Sequence, residues 1–194
     1  MKRKLKICTL SPRDLEDLYR INSDLFFGGD FEKGKAYVDF FDVDYKHSVK
    51  LVDNGNVVGV MATCKEEIDA YCGGAFSATE PKLSRLLKRY RGIGGMVLGL
   101  DEEYRGHKLS DKLVEAMLDK CRDFDYIVIP VENNLKTHTF WARYGVKKVY
   151  SDDMNTFYLL LQNKELERKI DAIKTISKIA ESVINRYLLL TTQT

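Results

Sequence analysis

The sequence predicts an α/β fold in which a mixed sheet contains one parallel crossover. Residues 93–100 form an apolar strand candidate, and an amphipathic helix follows from Leu109. Tyr126 to Val131 is then a continuous apolar run, which is typical of a central strand covered on both faces. A strand, a helix and a second strand in this order imply parallel pairing across a crossover connection.

The composition limits the possible classes of protein. With 194 residues, of which 44% are hydrophobic, the chain can form one domain with a sizeable core. The formal net charge of +2 lacks the strong basic field of a dedicated nucleic-acid binder, so we expect no nucleic-acid partner. No apolar run approaches the ~20 residues that cross a bilayer, so we expect no membrane span.

The N-terminal stretch and the cysteines favour a cytoplasmic protein without a metal site. The start MKRKLKICTL lacks the longer apolar core and the cleavage site of an export signal. The cysteines show no CxxC spacing and no nearby histidine partner, so we expect reduced thiols. They are Cys8, Cys64, Cys72 and Cys121.

The first elements are a strand and a helix. Residues 5–10 form a short apolar strand candidate. Ser11 as N-cap and Pro12 at the first helical position predict a helix that runs to about Phe26. Gly28-Gly29 ends it.

A second helix and a hairpin follow. The helix is expected around residues 31–41. Residues 48–52 and 57–63 alternate as strands and flank Asn54-Gly55, a pair that takes the positive φ angles of a tight hairpin turn.

Residues 65–91 form an insertion that contains Gly73-Gly74 and a basic helix over residues 81–90. The charged face of this helix has two interpretations, a solvated surface or a contact with an acidic substrate. Its residues are Lys82, Arg85, Lys88 and Arg89.

After the central strand, a polar link at residues 132–134 leads into a short helix that runs through Trp141 and stops at Gly145. Residues 146–150 and 156–161 are two closing strands.

The segment from Lys164 to Leu190 is one long amphipathic helix. We therefore divide the chain into a domain over residues 1–162 and a C-terminal helix over 163–194. The helix either packs back on the domain or pairs with a second copy, and a homodimer through this helix or a sheet edge is the alternative. Its apolar stripe comprises Leu166, Ile170, Ile173, Ile176 (or Ser177), Ala180, Ile184 and Tyr187.

The strongest functional signal is the turn before the helix at Leu109. The peptide N–H groups from Arg105 to Ser110 are expected to lie unpaired at the positive end of the helix dipole. Such a helix start predicts a site for phosphate or pyrophosphate.

Two segments resemble the GCN5-related N-acetyltransferase (GNAT) family over roughly residues 5–161. Glu103 to Ser110 resembles the family's acyl-CoA pyrophosphate loop. Asn134 together with residues 140–146, FWARYGV, resembles its later motif of an Asn, an aromatic pair and a Gly. The resemblance implies a mostly antiparallel, twisted mixed sheet with a central parallel pair and helices on both faces, here followed by the long C-terminal helix.

What the resemblance implies for chemistry is transfer of an acetyl group from acetyl-CoA, as cosubstrate, to an amine substrate by direct attack in a ternary complex. The strand edge at 98–100 would hold the pantetheine arm and polarise the thioester. The implied cofactor-binding residues are Leu98, Gly99, Leu100, Arg105, Gly106, His107, Lys108, Leu109, Ser110, Asn134 and Trp141.

The chain departs from the family pattern at three positions. Lys108 stands where the first loop glycine is expected, and Ser110 where the second glycine or alanine is expected. The lysine either weakens coenzyme binding or contacts a phosphate with its ammonium group. Trp141 occupies the position of a tyrosine that protonates the departing thiolate, which an indole cannot do.

A protonated amine needs a base, and Glu132 at the end of the central strand is the first candidate, with Asp101 and Glu102 behind it. The alternative for Glu132 is a solvated carboxylate. Tyr144 and Tyr158 remain as candidate acids, although Tyr144 can equally pack beneath the helix.

Asn134 caps a helix whether or not coenzyme is bound, and the lone histidines His107 and His138 are more often surface or packing residues. An active acetyltransferase is thus the first hypothesis, and a non-catalytic binding or assembly module with the same fold is the second. A nucleic-acid-associated modifier is the third.

Aromatic and acidic residues at 26–42 either line a pocket for a cationic substrate or form core and rim; they are Phe26, Phe27, Asp30, Phe40 and Asp42.

Overall fold

The protein folds around one seven-stranded sheet with the strand order β1-β2-β3-β4-β5-β7-β6. The computed structural model describes residues 4–191, apart from the side chains at positions 135, 181 and 183–191. Every neighbouring pair is antiparallel except β4 and β5, which are parallel, so the predicted crossover and mixed sheet are confirmed. The strands are β1 Leu5–Thr9, β2 Val49–Asp53, β3 Asn56–Cys64, β4 Gly92–Leu100, β5 Tyr126–Glu132, β6 Lys147–Ser151 and β7 Asn155–Leu161.

Helices lie on both faces of the sheet and in the predicted order. They are α1 Leu15–Phe26, α2 Phe31–Asp39, α3 Ile68–Tyr71, α4 Ala75–Thr79, α5 Pro81–Leu87, α6 Leu109–Lys120, α7 Leu135–Ala142 and α8 Lys164–Thr191. The insertion at 65–91 therefore holds α3 and α4 in addition to the predicted basic helix, which is α5. The helices end earlier than predicted in two places, at Asp39 rather than Phe41 and at Leu87 rather than Tyr90.

The hairpin between β2 and β3 has the predicted turn. Asn54 and Gly55 both take positive φ angles, of 50° and 93°. This is the handedness that matches the twist of the flanking strands.

The start of α1 differs in detail from the prediction. One turn of 3-10 helix over Pro12–Asp14 precedes α1. The Ser11 hydroxyl donates to the Asp14 carboxylate over 2.7 Å, and the Ser11 amide donates to the same oxygen over 2.8 Å. The carboxylate of the first turn, rather than the serine hydroxyl, is thus the acceptor at this helix start.

The sheet divides the core into two faces. On one face, α6 and α7 pack against β5 through a cluster that includes Leu113, Ile127 and Trp141. On the opposite face, α1 and α2 cover β3 and β4. The insertion and α8 cover β5 and β7 on that same face, because Tyr126 and Val128 alternate with Ile127 and point the other way. A seam between two groups of helices therefore runs over the middle of the sheet.

Helix α8 packs on the domain only along its first part. Leu166 and Ile170 are fully buried, whereas Ile176 and Ile179 are each 59% exposed. The predicted stripe positions Ile184 and Tyr187 have side chains outside the described residues. Within residues 4–191, no helix combines the length and the apolar character needed to cross a bilayer.

Candidate functional site

The two central parallel strands separate in the middle of the sheet. β4 and β5 pair only at Gly92, Ile93 and Gly94. β4 continues to Leu100 without pairing to β5, although it stays hydrogen-bonded to β3. The gap thus opens at Gly95, earlier along β4 than the predicted edge at 98–100.

A β-bulge lies at the start of this gap. Ala62 of β3 pairs with Val97 and the next residue, Thr63, pairs with Gly95, so Met96 is an extra residue in β4. The Asp101 amide donates to the Val58 carbonyl of β3. Because hydrogen bonding alternates along a strand, the main chain of Leu98 faces the gap.

The gap contains a cavity of about 240 Å³ that reaches both faces of the sheet. Ser110 of α6 and Trp141 of α7 line it on one face, and Phe26 of α1 lines it on the other. Glu132, at the last position of β5, also lines it. The other lining residues are Met61, Gly95, Met96, Val97, Leu98, Ile129, Pro130, Thr137 and Phe140.

The loop before α6 keeps the backbone conformation of a glycine loop although it carries a lysine. Lys108 is the N-cap of α6 and has φ 57° and ψ 20°, in the left-handed region. Gly106 also has positive φ, and no side chain caps the helix. The amides of Gly106, His107 and Lys108 make no hydrogen bond among the described residues, and those of the first helical turn have no intrahelical acceptor.

The prediction that the Arg105 amide is unpaired is wrong. The Arg105 amide donates to the Glu102 carbonyl over 3.1 Å, because Glu102–Tyr104 form a 3-10 turn. The Arg105 side chain turns back and donates from Nε to the Leu100 carbonyl. The free amides therefore begin at Gly106.

The loop before α7 is capped by its own side chain. The Asn134 side-chain oxygen accepts from the Thr137 amide over 3.0 Å, as the helix-cap interpretation predicts. This side chain is exposed and does not line the cavity.

A cluster of polar groups ties α7 to the first turn of α6. The Asp111 carboxylate accepts from the Tyr144 hydroxyl over 2.6 Å and from the Arg143 guanidinium over 2.9 Å. Burial raises the pKa of Tyr144 far above its usual range, and its hydrogen bond to Asp111 adds to the shift. Tyr144 therefore stays protonated, and it does not line the cavity.

The second candidate acid has a different partner. The Tyr158 hydroxyl lies 2.9 Å from His138 Nδ1, and Tyr158 does not line the cavity either. Trp141, which stands in place of the family's tyrosine, does line it and is buried.

The three candidate bases have different surroundings. Asp101 accepts from the Arg20 guanidinium over 2.7 Å. Glu102 lies with Arg105 in a separate polar depression beside Gly28 and Gly29. Glu132 is exposed at the cavity, and its carboxylate has no hydrogen bond or ion pair among the described residues.

The cavity thus brings together Leu98, Ser110, Glu132 and Trp141 from the predicted set. His107 and Leu109 lie in a different depression, next to Leu5. Sequence reasoning missed the bulge at Met96 and the position of the gap. Gly94-Gly95 in β4 was the available signal, because a glycine in a strand marks a bulge or a close approach.

The four cysteines are free thiols. Among the described residues, no three or more His, Cys, Asp or Glu side chains are grouped so that they could hold a metal ion.

The fold, a mostly antiparallel sheet with one central parallel pair and helices on both faces, is similar to that of solved GNAT acetyltransferases. The E. coli ribosomal-protein-S18-alanine N-acetyltransferase is similar over 82% of this chain and 94% of its own, with 13% identity and a TM-score of 0.56. A GNAT-family acetyltransferase from Staphylococcus aureus Mu50 matches 82% of this chain and 99% of its own, with 13% identity and a TM-score of 0.55.

A third solved structure contains coenzyme A. The PaiA N-acetyltransferase from Thermoplasma acidophilum, in complex with coenzyme A, matches 81% of this chain and 99% of its own, with 14% identity and a TM-score of 0.51. No protein-family model matches the sequence, and no curated protein matches it.

Proposed function

We propose that the protein is an N-acetyltransferase that moves an acetyl group from acetyl-CoA to an amine. The observation that carries the proposal is the juxtaposition of the β4–β5 gap with free amides at Gly106 to Lys108 and in the first turn of α6. The unpaired edge of β4 in the gap can hydrogen-bond to the amides of the pantetheine arm. The amides at the start of α6 can donate to the diphosphate of the coenzyme. Coenzyme A in the solved relative from T. acidophilum supports this proposal.

The proposed roles on the coenzyme side follow from charge and hydrogen bonding. The amides from Gly106 onward and the exposed Lys108 hold the diphosphate. The main chain of Leu98 holds the pantetheine arm and leaves a donor for the thioester oxygen.

Acetyl-CoA supplies a reactive thioester. The amine nitrogen forms a bond to the thioester carbon, the C–S bond breaks, and the amine loses one proton. Glu132 accepts that proton, directly or through water, because it is the unpaired carboxylate at the cavity. Trp141 can donate a hydrogen bond to the departing thiolate but cannot give up a proton, so the thiolate gains its proton from solvent.

The acceptor is proposed as the amine of a protein or a small molecule. Residues 164–191 form a helix whose exposed Ile176 and Ile179 support the additional proposal of a homodimer through α8.

Two measurements on the full chain test the proposed function. Acetyl-CoA at a hundred times its dissociation constant should raise the unfolding free energy by about 2.7 kcal/mol. Free thiol should then appear when an amine is added. A thermal shift without thiol release would favour a non-catalytic coenzyme-binding module, to which the tryptophan at position 141 points. The absence of any shift would contradict the proposal.

A further inference from the structure

A further depression, of about 510 Å³, lies at the seam between α2 and the insertion. Aromatic rings form most of its wall, namely Phe27, Tyr37, Phe40, Phe41 and Tyr71. We call these five rings the aromatic groove. The rings are in mutual contact: the ring centroids are 5.2 Å apart for Tyr37 and Phe41 and 5.0 Å apart for Phe41 and Tyr71.

The aromatic groove adjoins the β4–β5 gap through two shared walls. The Tyr71 hydroxyl donates to the carbonyl of Gly95, the residue at which the gap opens. Tyr37 stacks on Phe26, which lines the cavity in the gap, with 6.5 Å between ring centroids. The groove therefore lies on the α1–α2 face, opposite the helix start that would hold the diphosphate.

Tyr37 also connects the groove to Glu132. Burial raises the pKa of Tyr37 to about 12, and the charges of Cys64 and Glu132 add to the shift. The phenol is therefore neutral at physiological pH. Glu132 lines the same cavity as Phe26, on which Tyr37 stacks, so the groove and this carboxylate lie on two sides of the Phe26–Tyr37 pair.

No carboxylate of the described residues lines the groove. Asp30 is paired with Lys33, Asp39 with Lys35, and Asp42 with Lys65. Lys33 itself is the charged residue in the wall. Asp30 and Asp42 do not line the groove and have basic partners, which favours the rim interpretation over the cationic pocket for these two residues.

Phe40 is 69% exposed and lines the groove. Its neighbour Phe41 is buried, and the two rings meet edge to face at 5.1 Å. An apolar ligand group in the groove would cover the Phe40 ring and remove apolar surface from water.

We propose that the aromatic groove binds the side group of the amine acceptor, and that this group is uncharged and either aromatic or a large aliphatic chain. The acceptor is then a monoamine whose apolar group lies within a few bonds of the nitrogen. The amine passes Tyr37 and reaches Glu132 at the gap. A second cation on the acceptor finds no carboxylate among the residues that line the groove. This inference rests on the proposed acetyltransferase function.

The test compares, in the full-length protein, the phenylalanine at the first position of α2 with the one at its C-cap. Phe40→Ala removes an exposed ring of the groove. Phe31→Ala removes a ring that is 42% exposed, packs edge-on against Tyr19 and does not line the groove. Both sites are exposed, so neither change should alter the thermal midpoint greatly, and each midpoint is measured.

Acetyl transfer is measured with 2-phenylethylamine and with the diamine putrescine. We expect kcat/KM for 2-phenylethylamine to exceed that for putrescine at least tenfold, which is typical of one well-filled apolar pocket. Phe40→Ala should lower the value for 2-phenylethylamine about tenfold and leave putrescine unchanged. Phe31→Ala should change neither. Equal use of the two amines, or equal effects of the two variants, would overturn the inference while leaving the acetyltransferase function intact.

Binding without turnover separates the two proposals. Calorimetry with 2-phenylethylamine and no coenzyme should show binding to the wild type and to Phe31→Ala, and at least fivefold weaker binding to Phe40→Ala. This result together with an absence of acetyl transfer would contradict the proposed function but support the groove. No binding to the wild type would overturn the groove, whatever the transfer assay gives.

Discussion

The two central strands of the sheet lead into two helices whose starts differ. After β4, the N-cap of α6 is Lys108, which has φ 57° and offers no side-chain cap. After β5, the N-cap of α7 is Asn134, which has φ −127° and accepts from the Thr137 amide. One helix satisfies a backbone donor with its own side chain, and the other leaves its donors open.

The difference between the two helix starts indicates different functions for the loop after β4 and for the end of β5. Backbone amides without a hydrogen-bond acceptor are costly unless water or a ligand accepts from them. The start of α6 therefore suits an anion. The α7 start needs no ligand, and the polar group left free beside it is the Glu132 carboxylate at the end of β5. The loop after β4 therefore suits binding, and the end of β5 suits proton transfer.

The largest effect is expected at the end of β5. Glu132→Gln should lower kcat for acetyl transfer by about 10²-fold, because the amide cannot accept the amine proton. The KM for acetyl-CoA should stay the same, since the proposed diphosphate site lies in the other loop. Steady-state kinetics with varied acetyl-CoA checks both values. A rise in KM with kcat unchanged would show that Glu132 acts in coenzyme binding and not in proton transfer.

The next effect is expected at the α6 start. Lys108→Asp should weaken acetyl-CoA binding by about 30-fold, because a carboxylate caps the open amides and repels the diphosphate. Aspartate is among the residues that tolerate the left-handed conformation, so the loop should keep its shape. Calorimetry with acetyl-CoA measures the change. Lys108→Asn is the matched neutral control and should lose less affinity, whereas equal losses would exclude a role for charge.

Local sequence patterns predict the start of α6 better than they predict the gap between β4 and β5 or the contacts of Tyr144. A strand, a polar turn and an amphipathic helix are local in sequence, so the α6 start and the parallel crossover were predictable from the residues around Leu109. The gap at Gly95 depends on where β5 stops pairing, which is a property of two distant segments. The same holds for Tyr144, whose hydroxyl is taken by Asp111 from another helix.

The α7 start offers a direct comparison with α6. Asn134→Ala removes the cap and should lower the unfolding free energy by about 1 kcal/mol, because the Thr137 amide loses its acceptor. For a chain of this size the thermal midpoint should fall by about 2–4 °C. Acetyl-CoA affinity should remain unchanged if the side chain acts only as a cap. A loss of affinity beyond the loss of stability would instead assign Asn134 a coenzyme contact.

The smallest effect concerns the backbone conformation of Lys108. Among the described residues, the non-glycine residues with positive φ are Lys108 and Asn54. A lysine in the left-handed region costs about 1–2 kcal/mol, and a glycine there recovers this at the expense of a more flexible unfolded chain. Lys108→Gly should therefore raise the unfolding free energy by about 0.5 kcal/mol.

Asn54→Gly is the control for this change, because asparagine already tolerates the conformation and little should be gained. Chemical denaturation of both variants without coenzyme measures the difference. If Lys108→Gly also weakens acetyl-CoA binding while stabilising the free protein, the strained lysine is retained for its charge at the diphosphate. If it strengthens binding, the side chain obstructs the loop, and the open amides of α6 alone account for the anion site.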